Sequence, residues 1–205
     1  MKKRKNPQEI LVNLPPNHPD RLRWNERYAK EQSNPRFRIS PLLDLVRDIG
    51  FPDGPVLELA CGLSGNALDL AQGGRQVWCV DISDLALSTL KKEAEKCGIA
   101  KGINLIQADL LEWIPLEGTF ALVFCSLYWD KRLFGRACRA LTHRGVLAWK
   151  AFTLEERSYK PTFRPDWCLA PGEPVSLLPP DFGVLKQFDC DDGEEATRCI
   201  IAAKA

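Results

Sequence analysis

The chain of 205 residues has only two histidines, His18 and His143, too few for a zinc or iron centre of the usual kind. Its eight cysteines, at 61, 79, 97, 125, 138, 168, 190 and 199, include no CxxC pair and no zinc-like spacing. Several sit in apolar runs such as VWCVD and RCIIA, where cysteine behaves as a small hydrophobe. With no secretory signal ahead of them, a disulfide framework is not expected. No apolar run reaches the length of a membrane span, and no hydrophobic segment follows the opening MKKRKNP. The expectation is a soluble, cytoplasmic protein without a membrane partner. A large basic excess is also missing, since the formal net charge is +1. That speaks against a sequence-independent nucleic-acid binder, and the four basic residues of MKKRKNP read as a solvated terminus. There is no internal repeat and no low-complexity linker. A hydrophobic content of 45% is enough for one full core. One domain over residues 20–205 is expected behind a tail at 1–19, whose stretch 8–19 is proline-rich and extended.

Residues 54 to 81, GPVLELACGLSGNALDLAQGGRQVWCVD, carry the most information. Val56 to Leu59 reads as a strand buried on both faces. Gly62 and Gly65 then allow a tight turn and the approach of a ligand where a Cβ would collide. Asn66 to Gln72 has helical spacing and is ended by Gly73-Gly74. Gln76 to Val80 is the next strand, and Asp81 falls where a carboxylate can bind the two hydroxyls of a ribose. The pattern is a nucleoside-binding crevice at the carboxyl edge of a parallel sheet.

Two ligands compete for that crevice, a dinucleotide and S-adenosylmethionine. The spacing Ala60-x-Gly62-x-x-Gly65 fits the dinucleotide turn only with alanine in place of the first glycine. Glu58 lies where a pyrophosphate would sit, and a carboxylate there repels phosphate but suits an ammonium and a sulfonium. Ile103 to Ala108 is a third strand, followed by Asp109 within reach of an adenine's exocyclic amine. Acid at three successive strand ends, with no base in the turn, favours the cationic ligand.

The stretches LELACGLSGNALDLA, CVDIS, IQADLLEW and FALVFCSLYWDKRLFGRACRALTHRGVLAWK resemble the successive motifs of class I S-adenosylmethionine-dependent methyltransferases. RWNERYAKE and PDWCLAPGE resemble more narrowly the tellurite-resistance and thiol (thiopurine-like) methyltransferase branch. The resemblance spans roughly residues 22 to 204. It implies a three-layer Rossmann-like methyltransferase fold, with a mostly parallel seven-stranded sheet and a C-terminal antiparallel hairpin. It further implies cofactor contacts from Trp24, Arg27, Glu58, Ala60, Cys61, Gly62, Gly65, Asp81, Ile82, Asp109, Leu110, Cys125 and Ser126, the last two through backbone. Ala60 and Ser64 stand where the family usually has glycine, and Gly65 where a larger residue is common. These departures imply a somewhat different hold on the methionine end.

The remaining elements follow from local signals. Asp20 is expected to cap a helix running through Lys30, with Trp24, Arg27 and Tyr28 on one face at i, i+3, i+4 spacing. Arg27 would pair the cofactor's methionine carboxylate. Ser40 caps Pro41 to Ile49, and Ser83 caps a helix to Cys97 ended by Gly98. Phe120 to Cys125 is strand four, Asp130 to Ala140 a helix with its arginines outward, and Gly145 to Phe152 strand five after a turn at THRG. Val184 to Asp189 and Thr197 to Ala203 pair antiparallel across CDDGEE. The proline-rich segment 153–180 reads as a lid over the acceptor, with Tyr159, Phe163, Arg164 and Trp167 as contacts; packing of Phe163 and Trp167 onto the sheet explains them equally well.

Methyl transfer from a sulfonium needs mainly alignment and exclusion of water. Both histidines are expected to be structural or exposed. A soft small-molecule acceptor, a thiol or a chalcogen oxyanion, suits a site without a histidine base. Tyr28 and Tyr128 are the candidate catalytic groups, and the aromatic faces of Tyr128 and Trp129 could attract the sulfonium. Two rival readings stay open: a non-catalytic S-adenosylmethionine-binding module that regulates a partner, and an NAD-dependent oxidoreductase. The second lacks a Tyr-x-x-x-Lys pair. No protein-held metal is expected.

Overall fold

The computed structural model describes residues 14–205. The basic opening MKKRKNP and residues 8–13 of the proline-rich stretch lie outside the described residues; the rest is not extended throughout, since Pro16 and Asn17 form a turn and Pro19 opens a helix. Seven strands form one sheet: β1 (Val56–Leu59), β2 (Val77–Asp81), β3 (Ile103–Gln107), β4 (Phe120–Ser126), β5 (Leu141–Phe152), β6 (Phe182–Asp191) and β7 (Ala196–Lys204). Their order across the sheet is β3-β2-β1-β4-β5-β7-β6. The first five pair in parallel, and β7 lies antiparallel between β5 and β6. Chain order reverses between β1 and β4, so a crevice opens beyond the carboxyl ends of these two strands.

The helices are α1 (Pro19–Ala29), α2 (Pro41–Ile49), α3 (Gly65–Gln72), α4 (Asp84–Lys96), α5 (Lys131–Ala140) and the single turn α6 (Glu156–Tyr159). Strand alternation divides the core between two faces. Val56, Leu122, Phe124 and Ala148 pack with Leu43 and Val46 of α2 and Leu90 of α4 on one side. Leu57, Leu59, Val123 and Trp149 pack with Leu133, Phe134 and Ala137 of α5 on the other. Glu58 falls between Leu57 and Leu59 and so points to the α3 face, where it is buried. Ser40 and Ser83 cap α2 and α4 as their sequence positions predict, their Oγ atoms accepting from the amides of Leu42 and Ala86.

Three expectations are corrected. Asp20 does not cap α1; His18 occupies the cap position and Pro19 opens the helix, its fixed φ and missing N–H suiting the first turn. Arg136 of α5 does not face outward. Its Nη1 donates to the carbonyls of Leu110, Leu111 and Trp113 at 3.4, 2.8 and 3.1 Å, tying α5 to the turn after β3. The THRG stretch is an irregularity within β5 rather than a turn before it: register passes from Phe120↔Leu141 to Leu122↔Val146, with Arg144 at φ 61°. Among the described residues, no helix is long and apolar enough to cross a membrane.

Candidate functional site

The turn between β1 and α3 forms the floor of the crevice. Ala60 and Gly62 both have left-handed backbones, φ 51° and 52°. Below them Glu58 Oε2 accepts from the Ser64 hydroxyl at 2.5 Å, and Oε1 accepts from Asn66 Nδ2 at 2.9 Å. Ser64 Oγ also accepts from the Ala67 amide at 2.9 Å, capping α3, while Asn66 Oδ1 accepts from the Ser40 amide at 2.7 Å. Serine at position 64 is thereby accounted for: it starts the helix and holds the strand's carboxylate. Burial lifts the Glu58 carboxyl to about 7, against the pull of these two donors. Glu58 thus lies in the wall of the turn with one hydrogen bond on each oxygen.

Gly65 corrects another expectation. A Cβ there would lie 2.5 Å from the carbonyl carbon of Arg38 and 2.8 Å from the Ile39 nitrogen. The Gly65 amide donates to Arg38 O at 3.2 Å. Its glycine makes room for the chain's own 38–39 segment, not for a ligand.

Asp81 ends β2 facing the turn. Its Oδ2 accepts from the Gly62 amide and its Oδ1 from the Ser83 amide, both at 2.8 Å. Burial pushes its carboxyl up while those amides hold it down. Each oxygen keeps a further lone pair for a hydroxyl donor. Ile82 follows, its carbonyl taken by Gln107 Nε2 at 3.2 Å. Asp109 caps the turn after β3 through Oδ1, which accepts from the Leu111 amide at 2.9 Å, and Leu110 is buried beside it. Cys125 and Ser126 end β4 next to β1, Leu59 pairing with Cys125. The buried thiols of Cys61 and Cys125 are both pushed well up by burial and stay protonated. This ring of acceptors suits a ligand rich in hydroxyl and amine donors and disfavours phosphate.

Helix α1 lies over this floor. Arg21 grips Asp84 at the start of α4 with two hydrogen bonds of 2.8 and 2.9 Å. Asn25 donates to the same carboxylate at 2.8 Å and accepts from the Ser83 hydroxyl at 2.6 Å. The helix is therefore fixed to the residues just after Asp81. Trp24 and Tyr28 stack with ring centroids 6.1 Å apart, and the Arg27 guanidinium lies 5.2 Å from the Trp24 centroid. Tyr28 reaches Gly62. Burial, reinforced by Asp81, pushes its phenol well above the ordinary value. Tyr128 is likewise pushed up, by burial and then by Asp130. Both phenols are hydrogen-bond donors at neutral pH, not bases. Trp129 is a buried core residue packed against Phe134 and Trp149, with ring centroids 5.4 and 6.1 Å away.

The 153–180 segment divides. Tyr159 donates to Asp191 of β6 at 2.6 Å, so its hydroxyl anchors the hairpin and is not held out to an acceptor. Phe163 packs edge-on between Phe152 and Trp167, at 4.9 and 5.5 Å. Trp167 is flanked by two cations, Arg23 of α1 at 4.8 Å and Arg164 at 5.1 Å. The loop and the N-terminal helix thus meet through an arginine–indole stack. Glu173 secures the loop's far end to Lys131 of α5 at 2.5 Å.

The structure also gathers Asn66 and Asn25, which sequence patterns did not single out, and gives His18 a partner that they did not supply. Its Nε2 is 3.6 Å from Asp109 Oδ2, and its Nδ1 is buried without a partner among the described residues. The acidic partner three strands away leaves no trace in the local sequence around His18.

Comparison with solved structures finds the same fold. Over 90% of the chain and 91% of the neighbour, the fold superposes with a TM-score of 0.69 and 17% identity on a structure described as conversion of a disulfide bond into a thioacetal group during echinomycin biosynthesis. Magnesium protoporphyrin IX methyltransferase from Synechocystis PCC 6803 with bound SAH matches at TM-score 0.69 and 15% identity, covering 91% of this chain and 98% of that one. A geranyl diphosphate methyltransferase in complex with GPP and sinefungin matches at 0.66 and 16%, over 81% and 77%. No curated protein sequence matches the chain. Residues 56–145, from the first residue of β1 to the irregularity in β5, match the family described as a methyltransferase domain.

Proposed function

We propose that this protein is an S-adenosylmethionine-dependent methyltransferase acting on a small, anionic soft nucleophile, a thiolate or a chalcogen oxyanion. The observation that carries the reading is Asp81, a buried carboxylate that fastens the glycine turn through the Gly62 amide and keeps lone pairs open above it. That is the acceptor a ribose diol needs. Asp109 with Leu110 would take the adenine, Gly62 and the neighbouring turn the methionine end, and Arg27 its carboxylate. The backbone of Cys125 and Ser126 would line the far wall. When bound, the cofactor supplies a methyl on a sulfonium that is already a good leaving centre. The chain's own work is to align the acceptor and exclude water, with α1 and the 153–180 loop as the two covers.

Two observations support the acceptor class. The phenols of Tyr28 and Tyr128 are held protonated, so the site favours a nucleophile that arrives already ionised. At the meeting of the covers, the indole of Trp167 is flanked by Arg23 and Arg164, which pair with Asp20 at 3.1 Å and Asp166 at 3.5 Å, and this aromatic mouth suits a soft, polarisable acceptor. The solved neighbours named above for a disulfide, a porphyrin and a prenyl diphosphate support a small-molecule acceptor in general.

The test is release of S-adenosylhomocysteine over a panel of aromatic thiols, aliphatic thiols, selenite and tellurite. Turnover with at least one is expected, and Trp167→Ala should raise KM for that acceptor while leaving cofactor affinity unchanged. Tight cofactor binding with no turnover on the panel or on carboxylate and amine acceptors would instead make this a binding module. Calorimetric binding of NAD with no response to S-adenosylmethionine would end the proposal.

A further inference from the structure

We infer that Leu127 is a specificity-determining residue of the acceptor site, packing on the carbon skeleton of an organic thiol and so favouring it over a bare chalcogen oxyanion. The inference rests on the methyltransferase reading proposed above and narrows its acceptor. Among the described residues, three other than glycine have a left-handed backbone: Ala60, Leu127 and Arg144. Arg144 belongs to the irregularity in β5. The other two follow directly on the ends of β1 and β4, the adjacent strands between which chain order reverses. Both therefore stand at the mouth of the crevice.

Leu127 has φ 61°, a conformation that glycine or asparagine adopts more cheaply than a branched apolar residue. Its surroundings hold it there. The Leu127 amide donates to Lys150 O at 2.8 Å, extending the β4–β5 ladder by one bond. The Tyr128 carbonyl accepts from the Trp149 indole N–H at 2.9 Å, and Asp130 caps α5 through the amides of Arg132 and Leu133. The main chain is thus fixed on both sides of the strained residue, the condition under which such strain persists.

The side chain gains little from the fold in exchange. It is 41% exposed and joins neither of the two apolar clusters that sandwich the sheet. Cys125 and Trp129, two residues to either side, are buried. A strained backbone carrying an unpacked leucine points to a contact made outside the chain. Chemistry narrows the partner. Leucine has neither charge nor hydrogen-bonding group, so it offers nothing to a hydrated oxyanion, but it removes water from an alkyl or aryl body. Directly beyond the proposed far wall of Cys125 and Ser126, it would meet the carbon next to the reacting sulfur.

Straight-chain alkanethiols of increasing length test this on the full chain, read as kcat/KM from S-adenosylhomocysteine release, with selenite and tellurite alongside. Wild type is expected to gain about three- to fourfold per methylene over the first members of the series, the size of one buried methylene. Leu127→Asn, which suits a left-handed backbone, should raise KM and flatten that gain below about twofold, with S-adenosylhomocysteine affinity within about twofold of wild type. It should melt no lower than wild type. Leu127→Met should keep the gain. A gain absent from wild type, or one that persists in Leu127→Asn, overturns the inference. A fall in melting temperature or in cofactor affinity would mark the residue as scaffold and overturns it as well. Turnover of the oxyanions alone overturns it while the proposed function stands. Failure of wild type to bind S-adenosylhomocysteine, or to turn over any acceptor, overturns both.

Discussion

The hydroxyl of Tyr28 rests on Gly62, so close that a Cβ on the glycine would collide with it. The contact joins the N-terminal helix to the turn that Asp81 holds from below, and it spans 34 positions of sequence. A glycine at 62 is thus needed twice, for its left-handed φ of 52° and for the ring above it.

Substituting Gly62→Ala is expected to lift Tyr28 and with it α1, weakening cofactor binding on the order of tenfold. In a Tyr28→Ala background the same substitution should cost clearly less, because the colliding group is gone. Calorimetry on the four proteins of this double-mutant cycle measures the coupling, and strictly additive losses would mean that the two residues do not act on each other.

Ala60 holds a left-handed backbone at φ 51°, where an L side chain is strained by about 1 kcal/mol. Ala60→Gly should relieve that strain and raise the melting temperature by about 2–4 °C for a domain of this size. A lower melting temperature would show that the methyl group makes packing contacts worth more than the strain.

Glu58 gives stability a pH dependence with a defined sign. Its carboxyl is lifted by burial from 4.5 to about 7 in the folded chain. The folded protein therefore keeps a proton that the unfolded chain has released, and stability falls as pH rises through that interval. Glu58→Gln retains the shape and an acceptor for Asn66 without the charge. Its melting temperature should gain on wild type between about pH 5 and about pH 8, by an amount reflecting a few kcal/mol at most. An equal difference at both pH values would remove Glu58 as the source.

Expected and observed elements agree or part along physical lines. Every strand and the helices α2 to α5 appear within a few residues of their sequence positions, because period-two and period-3.6 patterns and serine or aspartate caps are written locally. The crevice was legible for the same reason: a strand, a glycine turn and a helix followed by an acidic strand end occupy fewer than thirty contiguous residues. Misreadings came where the deciding partner was remote. Asp20 looked like a cap because the preference of proline for the first turn competed with it. The glycine at 65 reads as room for a ligand, whereas a Cβ there would meet the backbone of Arg38. Tyr159 looked available until Asp191 of the hairpin claimed its hydroxyl.

By itself, the order of residues determined the layered α/β architecture, the placement of Asp81 at a strand end and the scarcity of bases, since each depends on neighbours within a turn or a strand. Only the packed structure decided that α1 docks on α4, that His18 comes to rest beside Asp109, and that Arg23 and Arg164 close on Trp167. Those meetings join residues from separate elements, and they are selected by how whole surfaces fit together, a property no local run of side chains encodes.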